Sequence, residues 1–224
     1  MLNGNGFWDF SSKMSILESY IKCIYKIWSK IYDNLIDKEF EFNRNEVIKE
    51  LKIKNNDKIL EVGVGTGLNL KYYPKNCNLT AIDISKDMIE KAKKKKFSAK
   101  VKFDLVNMNN LPYKDNSFDK AIATYAIRVS INPKKALQEI SRAVKNKGLL
   151  VIVDEFEEKN FIRSLLKTII LLLGWGRDYK VEDLIKDTYY KIIKDKRISK
   201  VSNTKLVILE NNKFLNKISR GSTL

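Results

Sequence analysis

Apolar residues recur along this chain with two different spacings, and the change from one to the other divides it. Over residues 11–36, SSKMSILESYIKCIYKIWSKIYDNLI, a repeat of about 100° per residue places Leu17, Ile21, Ile24, Trp28, Ile31 and Leu35 on one face. Lys22, Lys26 and Lys30 fall together on the other. This pattern predicts an amphipathic helix that either packs on its own domain or lies in a membrane interface. From about residue 43 short apolar runs alternate with helical segments. KILEV (58–62), NLTAID (78–83), AKVKFDLV (99–106), FDKAIAT (118–124) and LLVIVDEF (149–156) predict strands. Helices are predicted over 44–52, over SKDMIEKAKKKK, and over NPKKALQEISRAVKN with Gly148 as its stop. RISKVSNTKLVILE (197–210) reads as two further strands joined by a polar turn.

Strands that alternate with helices make a doubly wound α/β fold with a mostly parallel sheet, here of seven strands. We expect an N-terminal helical extension over 1–42 and one α/β domain over 43–224. The run FIRSLLKTIILLLGW (161–175) carries Arg163 and Lys167 and is too short and interrupted for a membrane span. It reads as a lid helix or a monotopic contact.

Composition narrows the chemistry. Histidine is absent, which removes the commonest general base and the commonest metal ligand. Cys23 and Cys77 form neither a CxxC pair nor a framework, so they are expected as reduced thiols, and no metal site is expected. The start MLNGNGFWDF lacks the basic and apolar parts of a secretory signal. The formal charge of +16 invites a polyanionic partner. Lysine is enriched everywhere, however, and the run KAKKKK reads as a solvated helix end.

The strand KILEV runs directly into GVGTGLNL. Gly63 and Gly65 match the start of a dinucleotide fingerprint, but its third glycine would fall on Leu68. The pattern is instead E-x-G-x-G-x-G, led by Glu61 and closed by Gly67. Glycines let a ligand approach the backbone. A carboxylate beside them disfavours a pyrophosphate and suits an ammonium or sulfonium group. Asp83, at the end of the second strand, can accept both hydroxyls of a ribose.

At these residues the sequence resembles the class I S-adenosylmethionine-dependent methyltransferases, over roughly residues 45–155, with their Rossmann-like fold. The resemblance implies that Gly63, Gly65, Thr66 and Gly67 line the methionine and ribose, that Asp83 holds the diol and that Ile84 flanks the adenine. Asn107 stands where the family often has an aspartate, followed by Met108. Asn69, Met88 and Thr124 complete the expected cofactor shell, with S-adenosylhomocysteine as product. LPYKDNSFD resembles a signature of small-molecule methyltransferases. ATYA replaces the N/D-P-P-Y tetrapeptide of enzymes that methylate amino groups of DNA or glutamine.

Three segments, YKIWSKIYDNLIDKEFEFNR, ILEVGVGTGLNL and LLGWGRDYKVEDL, further resemble soluble bacterial phosphatidylethanolamine N-methyltransferases. That likeness implies a phospholipid amine as methyl acceptor and a cytoplasmic protein held peripherally on the inner face of the membrane. The N-terminal helix would meet the anionic surface, each basic residue contributing about 1 kcal/mol. Tyr25, Tyr32 and Tyr125 would face a headgroup or sulfonium cation through their rings, and Arg128 would pair with the lipid phosphate. YAIRVS is also similar to a segment of ubiquinone and menaquinone C-methyltransferases, which would set Arg128 beside a quinol. RNA methylation rests on charge alone, so no nucleic-acid partner is expected. A cofactor-binding membrane scaffold without turnover is the non-enzymatic alternative.

Overall fold

The structure is a computed structural model and describes residues 43–156, 179–199 and 202–213. The helix expected over 11–36, with Tyr25 and Tyr32, and the apolar run 161–175 lie outside the described residues. Seven strands form one sheet: β1 (Lys58–Val62), β2 (Asn78–Asp83), β3 (Lys100–Leu105), β4 (Phe118–Thr124), β5 (Val144–Glu155), β6 (Tyr190–Arg197) and β7 (Thr204–Asn211). Their order is β3-β2-β1-β4-β5-β7-β6, and β7 runs antiparallel to both of its neighbours. The helices are α1 (Arg44–Glu50), α2 (Lys86–Lys93), α3 (Pro133–Ala143) and α4 (Val181–Ile185), with a 3-10 turn at Leu70–Tyr72.

Each longer helix starts where the sequence supplies a cap. Asn43 Oδ1 accepts from the Glu46 amide, Ser85 Oγ from that of Met88, and Asn132 Oδ1 from that of Lys135. Pro133 follows Asn132 at the first turn of α3, where its missing N–H costs nothing. In α2, Lys91 and Lys93 occupy the last turn, offsetting the negative end of the helix.

Both faces of the central strands are covered, which is why their sequences are apolar runs rather than alternations. Leu60, Val62, Ala121 and Ile152 pack with Leu137 and Ile140 of α3 on one face. Ile59, Leu79, Ile122 and Val151 pack with Val47 and Ile48 of α1 and Ala92 of α2 on the other.

Two expectations are corrected. The helix predicted to run to Gly148 ends at Ala143, because Val144 turns extended (φ −82°, ψ 139°) and pairs with Phe118. Gly148 belongs to β5, at an irregularity between Phe118 and Lys120; a Cβ there would lie 2.5 Å from the Asp119 carbonyl oxygen. The first strand expected within 197–210 instead occupies Tyr190–Arg197, earlier in the chain. It is a sheet-edge strand, so its lysines face solvent on both sides and its alternation is weak.

Candidate functional site

The strand order turns around between β1 and β4: β2 and β3 lie to one side, β5 to the other. Connections leaving β1 and β4 therefore diverge and open a crevice at the carboxyl ends of the strands. A cleft of about 810 Å³, partly open to solvent, occupies this crevice. Gly63 and Gly65, Asp83 to Ile84, Met88, Val106 to Asn109, Thr124 to Ala126 and Val129 to Ile131 line it. A smaller recess of about 310 Å³ adjoins it, lined by Arg44, Gly63, Val64, Gly65, Thr66, Leu68, Asn69, Thr124 and Tyr125.

The glycine loop is shaped by two needs. Gly63, Gly65 and Gly67 all adopt positive φ, at +70°, +54° and +85°. The amides of Gly63 and Val64 both donate to the Ile82 carbonyl at 2.9 Å, tying the loop to β2. A Cβ on Gly63 would lie 2.6 Å from that of Ala126, whereas one on Gly65 would meet nothing within 4 Å. Gly63 is thus required by the protein's own packing, and Gly65 leaves its backbone open toward the cleft.

Asp83 spans the loop and the start of α2. Its Oδ2 accepts from the Gly65 amide and its Oδ1 from the Ser85 amide, both at 2.9 Å. Burial raises its pKa, and these backbone donors pull it back down. Asn107 lines the cleft with its Oδ1 accepting from the Asn109 amide, and Asn109 in turn accepts from Ser130.

Glu61 lies beneath the loop, 1% exposed. Its Oε1 accepts from Asn69 Nδ2 at 2.9 Å. The same nitrogen stands 3.0 Å from Thr124 Oγ1, and Asn69 Oδ1 accepts from Arg44 Nη1 at 3.0 Å. Oε2 and the buried Tyr73 hydroxyl make no hydrogen bond among the described residues. Burial pushes the Glu61 carboxyl up to about 7, against the opposing pull of the Asn69 hydrogen bond, of the neighbouring Tyr73 hydroxyl, which faces the carboxylate without the geometry of a full hydrogen bond, and of the Arg44 charge. A half-satisfied carboxylate beside open glycine backbone is a site that gains from a nearby cation and repels a phosphate.

Tyr125 lines both the cleft and the recess and holds φ +52°, a conformation unusual for a bulky residue. Its hydroxyl lies 3.0 Å from Thr204 Oγ1 on β7, and burial raises its pKa. Arg128 is placed differently. It is 9% exposed, pairs through Nη1 with Glu155 Oε2, and has its Nε 3.9 Å from Asp154 Oδ1. It is not among the residues that line the cleft. Burial lifts Asp154 to about 6 despite Arg128.

Of the expected cofactor residues, Gly63, Gly65, Asp83, Ile84, Met88, Asn107, Met108 and Thr124 line the large cleft, and Thr66 and Asn69 the recess. Glu61 reaches the recess through Asn69. Gly67 supports the loop from behind, where a Cβ would press on Leu70 and Ala92. Sequence reasoning missed Arg44, Asn109 and the Val129–Ile131 wall. Arg44 lies one residue past a capping asparagine, a local signal for a helix start and not for a ligand. Among the described residues no cluster of three or more His, Cys, Asp or Glu side chains is placed to hold a metal, and no helix is long and apolar enough to cross a membrane.

The turnaround crevice, the open glycine backbone, the aspartate at the end of β2 and the buried acid agree with the comparisons: the chain carries a methyltransferase domain on the fold of the S-adenosylmethionine-dependent methyltransferases. A family model described as "Methyltransferase domain" matches residues 60–152. The phosphatidylethanolamine N-methyltransferase of Cereibacter sphaeroides is 28% identical over 78% of this chain and 89% of its own. Uncharacterized protein MJ1252 of Methanocaldococcus jannaschii is 32% identical over 83% of this chain and 68% of its own. A ubiquinone/menaquinone biosynthesis C-methyltransferase of Geotalea daltonii is 29% identical, over 53% of this chain and 54% of its own. The crystal structure of a SAM dependent methyltransferase from Aquifex aeolicus superimposes with a TM-score of 0.64 at 22% identity, covering 82% of this chain and 96% of that one. S-adenosylmethionine is accordingly the cofactor.

Proposed function

We propose that the protein transfers methyl groups to the amine of phosphatidylethanolamine, or of its partly methylated forms, at a membrane surface. When bound, S-adenosylmethionine supplies a methyl group already activated on a sulfonium. What the chain must add is position: an acceptor held in line with that methyl group and water kept out. The observation that carries this reading is the makeup of the cleft wall. Among the described residues, Asp83 is the one ionised side chain of the wall; the others, the Tyr125 phenol included, are neutral and offer no proton acceptor of useful basicity. Asp83 already accepts two backbone amides.

The acceptor ammonium must first lose one proton to solvent; the neutral amine then attacks through its lone pair, and the methylated ammonium it becomes can shed its next proton the same way, so no strong base is required at the site. A quinol carbon needs its phenol deprotonated first. Arg128, expected at the lipid phosphate under this reading and beside the ring under a quinol reading, is engaged by Glu155 and Asp154 and does not line the cleft, so it favours neither acceptor. The Val129–Ile131 wall, Met108 and Ala126 give the cleft an apolar flank suited to a lipid headgroup's glycerol end. Tyr125 offers a ring face to the substrate ammonium, worth about 0.5–2 kcal/mol. The similarity to the Cereibacter sphaeroides enzyme, over most of both chains, supports the same reading.

The test mixes the protein and S-adenosylmethionine with liposomes containing either phosphatidylethanolamine or a demethylated quinol, and reads products by mass spectrometry. Phosphatidylethanolamine is expected to gain one methylene mass per transfer. Methylated quinol with unchanged lipid would reject the proposal in favour of carbon methylation.

A further inference from the structure

We propose that Asn109 is a clasp across the mouth of the cleft, which opens each time the cofactor enters or its product leaves. This rests on the S-adenosylmethionine assignment and not on the identity of the methyl acceptor.

The walls of the cleft leave the sheet from different strands. One arc, residues 106–110, follows β3, and the other, residues 125–132, follows β4. Both arcs are pinned to the body of the fold. On the first, the Val106 amide donates to the Asp83 carbonyl at 2.9 Å, and the Leu111 backbone is held by Glu139 and Arg142 of α3. On the second, the Tyr125 amide donates to the Val153 carbonyl at 2.7 Å and the Arg128 amide to Asp154 Oδ2 at 3.2 Å. These pins attach each arc to the sheet or to α3, and Asn109 attaches one arc to the other.

Its Nδ2 donates to the Asn132 backbone carbonyl at 2.6 Å, and its Oδ1 accepts from Ser130 Oγ at 3.1 Å. Its own amide donates to Asn107 Oδ1 at 2.9 Å, which fixes where the side chain starts. Asn109 and Ser130 are half-buried and line the cleft, whereas Asn132 is exposed, so the clasp sits at the rim between cavity and solvent. Water competes for such bonds, and each favours the closed form by only about two- to tenfold. The arcs can therefore part locally while the sheet and α3 stay folded. Every bond of the clasp joins two groups of the chain, and none requires a ligand. A lock of that kind governs how fast a ligand passes and leaves the strength of its binding nearly unchanged.

Surface plasmon resonance on the full chain reads association and dissociation rates of S-adenosylhomocysteine for the wild type, Asn109→Ala and Ser130→Ala. Asn109→Ala should raise both rates together by roughly tenfold, with the dissociation constant within about threefold of wild type. Ser130→Ala breaks one of the two cross-links and should raise both rates by less, about threefold. The doubly substituted chain should match Asn109→Ala alone, because the bond to Ser130 is already lost there. A dissociation rate that rises while association stays fixed would overturn the proposal and place Asn109 in direct contact with the ligand. Rates equal to wild type would overturn it too, since the ligand would then pass elsewhere. Should Asn109→Ala fail to fold, Ser130→Ala decides by the same two criteria. A wild type that does not bind S-adenosylhomocysteine would instead remove the cofactor assignment beneath the proposal.

Discussion

Asn69 Nδ2 stands 2.9 Å from Glu61 Oε1, while the second oxygen of that carboxylate has no hydrogen bond among the described residues. With the Glu61 carboxyl at about 7, a cation arriving nearby lowers that value and expels a proton. S-adenosylhomocysteine affinity should therefore rise from pH 6 to a plateau above about pH 7.5, by at most about tenfold per pH unit below the plateau. Calorimetry at pH 6.5 in buffers of different ionisation enthalpy should detect proton release. Affinity that stays flat across this range would separate Glu61 from the ligand.

The same residue sets a stability slope. Its folded pKa is raised above the ordinary 4.5, so the folded chain holds this proton more tightly than the unfolded one. Its contribution is thus most favourable at low pH and declines as pH rises from about 4.5 through about 7. Glu61→Gln keeps an acceptor for Asn69 and removes the charge. Ligand-free Glu61→Gln should melt higher than wild type at pH 8, bind S-adenosylhomocysteine more weakly, and lose the pH dependence of that binding.

Gly63 and Gly65 should fail in different ways. Gly63→Ala drives a methyl group against Ala126, costing about 1–3 kcal/mol for overpacking, with about 1–2 kcal/mol more for the left-handed backbone. Gly65→Ala bears only the backbone cost, and its methyl group projects toward the cleft. Denaturant melts should show the larger loss in Gly63→Ala. Gly65→Ala should stay folded and bind cofactor roughly tenfold more weakly or worse.

Replacing Arg128 by methionine removes the guanidinium that pairs with Glu155 and lies beside Asp154, two buried carboxylates next to each other in the chain. The expected result is a stability loss of about 3–5 kcal/mol. A well-folded Arg128→Met with selectively lost turnover would show that Arg128 acts on substrate instead.

Tyr125 offers a ring to the cleft and a hydroxyl to Thr204. Tyr125→Phe should cost about 1 kcal/mol of stability and keep most lipid methylation. Tyr125→Leu should lose roughly tenfold or more in kcat/KM for phosphatidylethanolamine, through the missing ring face. Equal activity of the two variants would show that no cation rests on the ring.

The parts of this protein legible in sequence are those governed by neighbours in the chain. KILEV, NLTAID and FDKAIAT coincide with β1, β2 and β4, because each is a doubly covered strand written as an apolar run. The glycine loop announced itself through spacing, and Asp83 through its place at a strand end. Long-range relationships left no such trace. Nothing near Arg128 reveals that Glu155 will take its guanidinium, and nothing near Arg44 reveals Asn69, 25 residues on. β6 was misplaced because an edge strand need not alternate. The early end of α3 was missed because Val144 serves a partner, Phe118, that a local reading does not see.

The insertion of β7 between β5 and β6 has a consequence for how the protein is made. The ribosome delivers β6 first, when its only described sheet neighbour does not yet exist. Thr204, which holds the Tyr125 hydroxyl, arrives at the start of that last strand. A nascent chain cut short before residue 204 therefore carries every glycine of the cofactor loop but lacks the anchor for Tyr125. The wall of the site is therefore finished only once β7 has been translated and has paired with β5.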